Sequence, residues 1–193
     1  LSVFAGLRPL AAPRSEGTKT KEISRSHKLI REKSGLITII GGKWTTYRKM
    51  AQDTLDLAIR YMHIPTKDCI TERYQIHGSR KNPDFSDPLY VYGTDADEIR
   101  NLVASSPAMA EKLHPDYAYT VGEVTWLVRN EMPRTLEDVL ARRLRILFLD
   151  ARAAMAMAPK VAGILATEWG KDETWTSAQV KAFNEVASNY ILN

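Results

Sequence analysis

The hydrophobic pattern divides the chain into two unlike halves. Up to about His63, apolar positions alternate or form short runs, as in strands, and one helical repeat follows. After Gly93, almost every apolar position recurs at helical spacing. Prolines and glycines interrupt the polar stretch between them. The pattern therefore predicts one domain piece over residues 1–63, a linker over 64–94 and a helical domain over 95–193.

Residues 22–40 predict a β-hairpin. Residues 22–30 alternate, and because side chains on a strand point to opposite faces in turn, four of them share one face: Ile23, Arg25, His27 and Leu29. Residues 32–35 supply the turn, and the apolar run 36–40 reads as a buried strand.

A double glycine, Gly41 and Gly42, separates this hairpin from a helical repeat over residues 47–61, with Thr45 or Thr46 as its N-cap. Such a turn lets backbone N–H groups and the positive end of a helix approach an anionic group. The same residues also fit a tight strand-to-helix turn with a solvated lysine, Lys43.

The second half carries the signals of a bundle of about five helices. Capping-box spacing marks three helix starts: Asp95 with Glu98, Thr120 with Glu123, and Thr176 with Gln179, with Thr135 and Asp138 a weaker case. An apolar stripe from Leu140 to Ala158 predicts one mostly buried helix. Pro159 should end that helix and begin another.

Composition narrows the class of protein only modestly. The 193 residues are 44% hydrophobic, with a net charge of +4, which suits anionic ligands without deciding among them. Cys69 is the only cysteine, which excludes an internal disulfide and a zinc site of cysteine pairs, so no metal site is predicted. No apolar run reaches the roughly 20 residues that span a bilayer. The opening residues read like the interior of a strand, so we expect a fragment of a longer protein.

Three polar residues of the first half are candidates for chemistry. Arg8 follows an apolar strand and precedes a proline, where a guanidinium can leave the core, although a surface arginine fits as well. Arg25 shares a face with two core residues and would be buried unless an anion or a cleft receives it. The alternative is an edge strand with that face open to water. His27, on the same face, is more often a hydrogen-bonded structural histidine.

Several segments match one family in order and spacing. They are FAGLRPL (4–10), ISRSH (23–27), GLIT (35–38), GGKWTTYRKMA (41–51), DVLARRLR (138–145) and LFLD (147–150). Together they resemble the FAD-dependent glycerol-3-phosphate dehydrogenases and the related glycerophosphate oxidases, over nearly the whole chain. The chain departs from that family at Leu144, where threonine is usual, and near Asp150, where asparagine is frequent.

The resemblance implies an α+β fragment: the C-terminal strands and one helix of an FAD-dependent oxidoreductase domain, followed by an all-α C-terminal domain. It implies oxidation of sn-glycerol 3-phosphate to dihydroxyacetone phosphate, with electrons passing through FAD to quinone. Arg8 would be catalytic and bind substrate over the flavin, Arg25 would bind the phosphate, and Lys43 would bind substrate and stabilise reduced flavin. The residues facing the flavin would be Gly41, Gly42, Lys43, Trp44 and Thr45.

The glycines never form the Gly-x-Gly-x-x-Gly pattern that binds a pyrophosphate. We therefore expect this chain alone neither to hold FAD nor to be active. The resemblance favours a cytoplasmic enzyme, peripheral on the membrane or free of it, and it allows a homodimer.

Two alternatives remain open at this point. One is a glycerophosphate oxidase that uses oxygen as the acceptor. The other is a basic helical module that binds polyanions through four arginines, Arg142, Arg143, Arg145 and Arg152. These arginines spread around a buried stripe, so a salt-bridged rim fits better and no nucleic acid partner is expected.

Overall fold

The computed structural model describes residues 2–7 and 26–192. The chain forms two compact units, Gly6–Ile76 and a second made of His77–Asn193 with Leu1–Ala5. A two-stranded sheet lies in the first unit, and the second is helical. The predicted α+β fold class is confirmed. The predicted boundaries of the linker, residues 64–94, stay a prediction.

The first unit is the predicted hairpin followed by a helix. Strand β1 (His27–Arg31) pairs antiparallel with β2 (Ile37–Gly41), with His27 opposite Gly41. A 3-10 turn (Trp44–Thr46) then leads directly into α1 (Tyr47–Met62). Residues 22–25 of the predicted strand, and with them Ile23 and Arg25, lie outside the described residues.

Apolar side chains of this unit remain accessible to solvent. None of its described residues is buried, and Leu36, Leu55 and Met62 are each more than half exposed. A two-stranded hairpin is marginally stable by itself, because it has too little surface to bury. The unit therefore presents apolar surface rather than a core of its own.

The second unit contains six of the described α-helices, two of them only four residues long, against a prediction of about five. Its elements are a 3-10 turn (Tyr90–Asp95), α2 (Ala96–Ala104), α3 (Pro107–Ala110), α4 (Val121–Asn130), a π-helical segment (Asp138–Arg143), α5 (Ile146–Leu149), α6 (Ala151–Trp169) and α7 (Glu173–Ser188). The largest fully buried side chains include Leu127, Leu147 and Leu165. Their burial supplies the main hydrophobic stabilisation of the unit.

The predicted single helix from Leu140 to Ala158 is wrong. The π-helical segment ends before Arg145, whose φ of 61° is left-handed and breaks the helical path. Asp150 then caps a new helix, because its side chain accepts a hydrogen bond from the N–H of Ala153 at 3.0 Å. The apolar positions of the predicted stripe are distributed over three successive segments and not over one helix.

The predicted helix end at Pro159 is also wrong, because α6 runs through it without interruption. The ring of Pro159 is on the exposed side, while its neighbours Met157, Ala158 and Val161 are completely buried. An interior proline costs roughly 3 kcal/mol. Packing of α6 against α4 and α7 offsets this cost.

The three predicted capping boxes have different outcomes. Thr120 caps α4 as predicted, accepting from the N–H of Glu123 at 3.2 Å. Asp95 precedes α2 without a side-chain capping bond. Thr176 lies inside α7, so the predicted start there is wrong; Asp172 caps that helix instead, by accepting from the N–H of Trp175 at 2.8 Å.

A buried carboxyl joins α4 to the segment that precedes α2. Glu123 is 4% exposed, and its carboxylate accepts a hydrogen bond of 2.6 Å from the hydroxyl of Tyr92. Burial raises the pKa of the Glu123 carboxyl, against the opposing effect of that hydrogen bond. The ring of Tyr92 also packs edge-on against Trp126, 5.8 Å away. Because a buried polar group is costly without a partner, this pair fixes where the segment docks.

Candidate functional site

The turn after β2 requires glycine for steric reasons. Gly41 and Gly42 have φ values of 75° and 85°, in the region that other residues rarely adopt. A Cβ added at Gly42 would lie 2.6 Å from the Sδ of Met50 and 3.2 Å from the Cβ of His27. The double glycine therefore lets α1 pack closely against the start of β1.

The side chains of the three residues after the glycines are accessible to solvent. Lys43, Trp44 and Thr45 are exposed, and the Trp44 indole, at 89% exposure, lies 6.2 Å from the ring of Tyr47. Within the described parts of the chain, Lys43 forms no salt bridge. The turn thus presents a cation beside an accessible aromatic surface.

Hydrogen bonds within this turn connect it to the start of α1. The N–H of Thr46 donates to the carbonyl of Lys43 at 3.0 Å, and the Thr46 hydroxyl donates to the same oxygen at 2.9 Å. Thr46 is the N-cap residue, but its side chain makes no capping bond to the helix. The N–H of Tyr47 likewise donates to the carbonyl of Trp44, so the 3-10 turn leads into α1 and the positive end of the helix dipole lies beside Lys43.

A hydrogen-bonded network ties α1 to β1 close to the turn. Asp53 bonds the Nε2 of His27 through one carboxylate oxygen and the Nζ of Lys49 through the other, each at 2.9 Å. These bonds, that of Lys49 first and that of His27 next, hold the pKa of Asp53 below its usual value. His27 therefore occupies the hydrogen-bonded structural position that the sequence favours. Asp53 and Lys49 were missed from the sequence, although their i,i+4 spacing on a helix is a recognisable signal.

The structure brings together the predicted flavin-facing residues, Gly41 to Thr45, in one turn. Arg8 and Arg25 lie outside the described residues, so their placement stays a prediction.

Two of the arginines in the alternative polyanion-binding reading are engaged within the protein. Arg142 pairs with Glu137 at 2.8 Å and with Asp138 at 3.1 Å. The Nε of Arg143 pairs with Glu131 at 3.1 Å. These arginines form a salt-bridged rim, which leaves less free charge for an external polyanion.

Comparison with known families decides the class of the chain. The family model for the C-terminal domain of alpha-glycerophosphate oxidase matches residues 36–176, which is most of the sequence. The chain belongs to this family. The family resemblance seen in the sequence motifs, to the C-terminal portion of glycerol-3-phosphate dehydrogenases and oxidases, is thereby confirmed.

Curated relatives match over almost the whole chain. A probable mitochondrial glycerol-3-phosphate dehydrogenase of Caenorhabditis elegans is 34% identical over 99% of this chain and 28% of its own length. A mitochondrial glycerol-3-phosphate dehydrogenase of Arabidopsis thaliana is 31% identical over 98% of this chain and 37% of its own length. The corresponding protein of Mesocricetus auratus is 30% identical over 99% of the chain. The chain thus spans about a third of the length of these relatives.

Among the described residues, none of the helices has the length and apolar character to cross a bilayer.

Proposed function

We propose that this chain is the C-terminal part of an FAD-dependent enzyme that oxidises the C2 hydroxyl of sn-glycerol 3-phosphate to dihydroxyacetone phosphate. One observation carries the proposal. The family match over residues 36–176 includes the turn from Gly41 to Thr45, whose exposed lysine and indole adjoin a helix N-terminus. The relatives named as glycerol-3-phosphate dehydrogenases support the substrate.

The turn has the chemistry that a flavin ring requires. An isoalloxazine ring is planar and becomes more negative when it is reduced, so a nearby cation and the positive end of a helix dipole stabilise its reduced form. Lys43 supplies the cation, Trp44 an accessible apolar surface, and the start of α1 the positive end of a helix. Bound there, FAD would supply the acceptor for the hydride from C2. Because the pyrophosphate-binding pattern is missing from this sequence, the chain alone neither holds FAD nor turns over.

Positively charged side chains of this chain match the negative charge of the substrate phosphate. The phosphate of glycerol 3-phosphate is bound by Arg25, whose planar guanidinium can donate two parallel hydrogen bonds to phosphate oxygens. Arg8 contacts the reacting end of the substrate, and Lys43 adds a third positive charge. Concentrating these cations in one site selects a phosphorylated substrate over plain glycerol.

The network beneath the turn holds Lys43 in place. Asp53 joins His27 on β1 to Lys49 on α1, while Met50 contacts the glycine turn directly. A catalytic group gains from such support because small displacements reduce its effect on the reaction. The network therefore serves to position the turn rather than to react.

Quinone would be the electron acceptor in this proposal, since the relatives carry the name dehydrogenase. The enzyme then works at a membrane surface, from the cytoplasmic side, and a homodimer is compatible with it. Oxygen is the second candidate acceptor, favoured by the matching family's description as a domain of an oxidase. Hydrogen peroxide formed in step with substrate oxidation would select oxygen.

Replacing Lys43 with methionine tests the role of the turn. In the full-length enzyme without substrate, we expect Lys43→Met to lower the flavin midpoint potential, because a stabilising positive charge is lost. Each kcal/mol of lost stabilisation shifts a two-electron couple by about 20 mV, which a redox titration resolves. Turnover should fall as well, with the Michaelis constant changed less.

Lys67, which is exposed in the same unit, provides the matched control. Lys67→Met should leave both the potential and the turnover unchanged. If Lys43→Met left the potential unchanged and only raised the Michaelis constant, Lys43 would bind substrate phosphate and not tune the flavin.

A further inference from the structure

A groove of about 780 Å³ opens on the helical unit, near the end of α4 and the turn between α6 and α7. Its walls include Pro133, Arg134, Trp169, Lys171 and Trp175. The volume lies within the range of ligand-binding clefts, roughly 300 to 1,000 Å³. The functional proposal above makes no use of this groove.

Two indole rings form one side of the groove. Trp169 and Trp175 meet edge to face, with ring centroids 5.7 Å apart and an interplanar angle of 79°. Gly170, with a left-handed φ of 62°, ends α6, and Asp172 caps α7, so the short connection fixes both rings. Both indoles pack partly against the core of the unit, and the part of each ring that remains accessible lines the groove.

The residues that line the groove include two cations and no acid. Arg134 and Lys171 are exposed, and among the described residues neither side chain takes part in an ion pair. Two acids that neighbour the lining residues have partners of their own. Glu168 binds Arg129 through two hydrogen bonds of 2.8 and 2.7 Å, and Asp138 accepts the backbone N–H of Arg134. The charge that remains attracts an anion.

The backbone at the edge of the groove is in an unusual conformation. Met132 has a φ of 47° although it is not glycine, and it is 77% exposed. It also precedes Pro133, and a residue before proline normally prefers an extended conformation. Strain of this kind costs on the order of 1 to 3 kcal/mol and is concentrated at functional sites.

We propose that this groove binds a mononucleotide, with the base against Trp169 and Trp175 and the phosphate on Arg134 and Lys171. Aromatic side chains stack on bases whatever their identity, and lysine and arginine are the usual partners of phosphate. The combination of two partly accessible indoles and two cations without an ion pair matches a ligand that joins a planar ring to an anion. The groove proposal does not depend on the proposed redox function.

Calorimetric titration of the 193-residue chain at low salt tests the proposal, with adenosine 5′-monophosphate as the probe. Adenosine supplies the ring alone and ribose 5-phosphate the anion alone. Adenosine monophosphate should bind about tenfold more tightly than either part, because it makes the ring contacts that ribose 5-phosphate lacks and the phosphate contacts that adenosine lacks. Equal affinity for all three compounds, or no binding, would overturn the proposal.

Two double variants assign the contacts. Arg134→Gln with Lys171→Gln should weaken binding of adenosine monophosphate about tenfold and leave adenosine unaffected, because only the phosphate contacts are lost. Arg152→Gln with Lys181→Gln, the matched control elsewhere on the same unit, should leave binding unchanged. All four side chains that these two double variants exchange are exposed, so both proteins should still fold. Equal weakening by both double variants would show non-specific charge attraction and contradict the site.

One further titration distinguishes the groove proposal from the redox proposal. Lys43→Met should bind adenosine monophosphate like the unaltered chain, because Lys43 does not line the groove. Loss of binding in that variant alone would assign the nucleotide to the glycine turn and overturn the groove site.

Discussion

Gly93→Ala should destabilise the helical unit by about 3 kcal/mol or more, because a side chain there meets backbone atoms that cannot move away. Gly93 has φ 56° and ψ −121°, a conformation open essentially to glycine alone. An added Cβ would lie 1.6 Å from the carbonyl oxygen of Gly78. The N–H of Thr94 donates to that same oxygen at 3.1 Å, so relieving the clash breaks this bond too. The free energy of unfolding from denaturant titration measures the loss.

Gly163 supplies the control for this substitution. It lies inside α6, and a Cβ added there meets nothing within 4 Å. Gly163→Ala should therefore be neutral or stabilise the protein by up to about 1 kcal/mol, because alanine favours helix more than glycine does. If Gly93→Ala were as stable as Gly163→Ala, the close approach of Gly78 to Gly93 would be wrong.

Arg25→Ala should raise the Michaelis constant of the full-length enzyme for glycerol 3-phosphate by about two orders of magnitude. Hydrogen bonds to charged groups contribute roughly 1.5 to 3 kcal/mol, and a guanidinium makes two of them to a phosphate. Plain glycerol has no phosphate and should be affected far less. Steady-state kinetics with both substrates measures the difference.

Arg152, an exposed arginine of the helical unit, provides the comparison. Arg152→Ala should leave both Michaelis constants unchanged, since Arg152 belongs to the helical unit and no substrate contact is proposed for it. An equal loss for glycerol and glycerol 3-phosphate in Arg25→Ala would make Arg25 a structural residue and remove it from the phosphate site.

Interactions between residues close in sequence were sufficient to predict the hairpin and the glycine turn. The turn over residues 32–35, the double glycine before α1 and the cap at Thr120 all depend on bonds within a few residues. Thr120 could be identified because its hydroxyl accepts from an N–H three positions away. Such signals survive in the sequence because no distant contact has to be known.

Long-range packing explains where the helix predictions failed. The hydroxyl of Tyr119 donates to the carbonyl of Leu144 at 3.0 Å, at the point where the predicted helix is interrupted. This contact is invisible in a helical projection. Pro159 stays within α6 because the burial of its neighbours outweighs a local preference that would end an isolated helix.

The two candidate sites differ in the same way, because one is built from neighbouring residues and the other from residues far apart in sequence. Gly41 to Thr45 were found because a strand, a glycine turn and a helix follow one another in sequence. The groove of the helical unit was missed because Arg134 and Lys171 are 37 positions apart and line one groove only through the packing of α4, α6 and α7. Residues brought together by tertiary structure leave no spacing signal for a motif search.

The central claim is that this chain completes a flavoenzyme for glycerol 3-phosphate, and flavin reduction tests it most directly. The full-length protein is mixed with sn-glycerol 3-phosphate without oxygen, and the visible absorbance of its bound flavin is followed. We expect the flavin to be bleached and one dihydroxyacetone phosphate to form per flavin, while plain glycerol has little effect. A protein that carries no flavin, or whose flavin stays oxidised with saturating glycerol 3-phosphate, would contradict the proposed function.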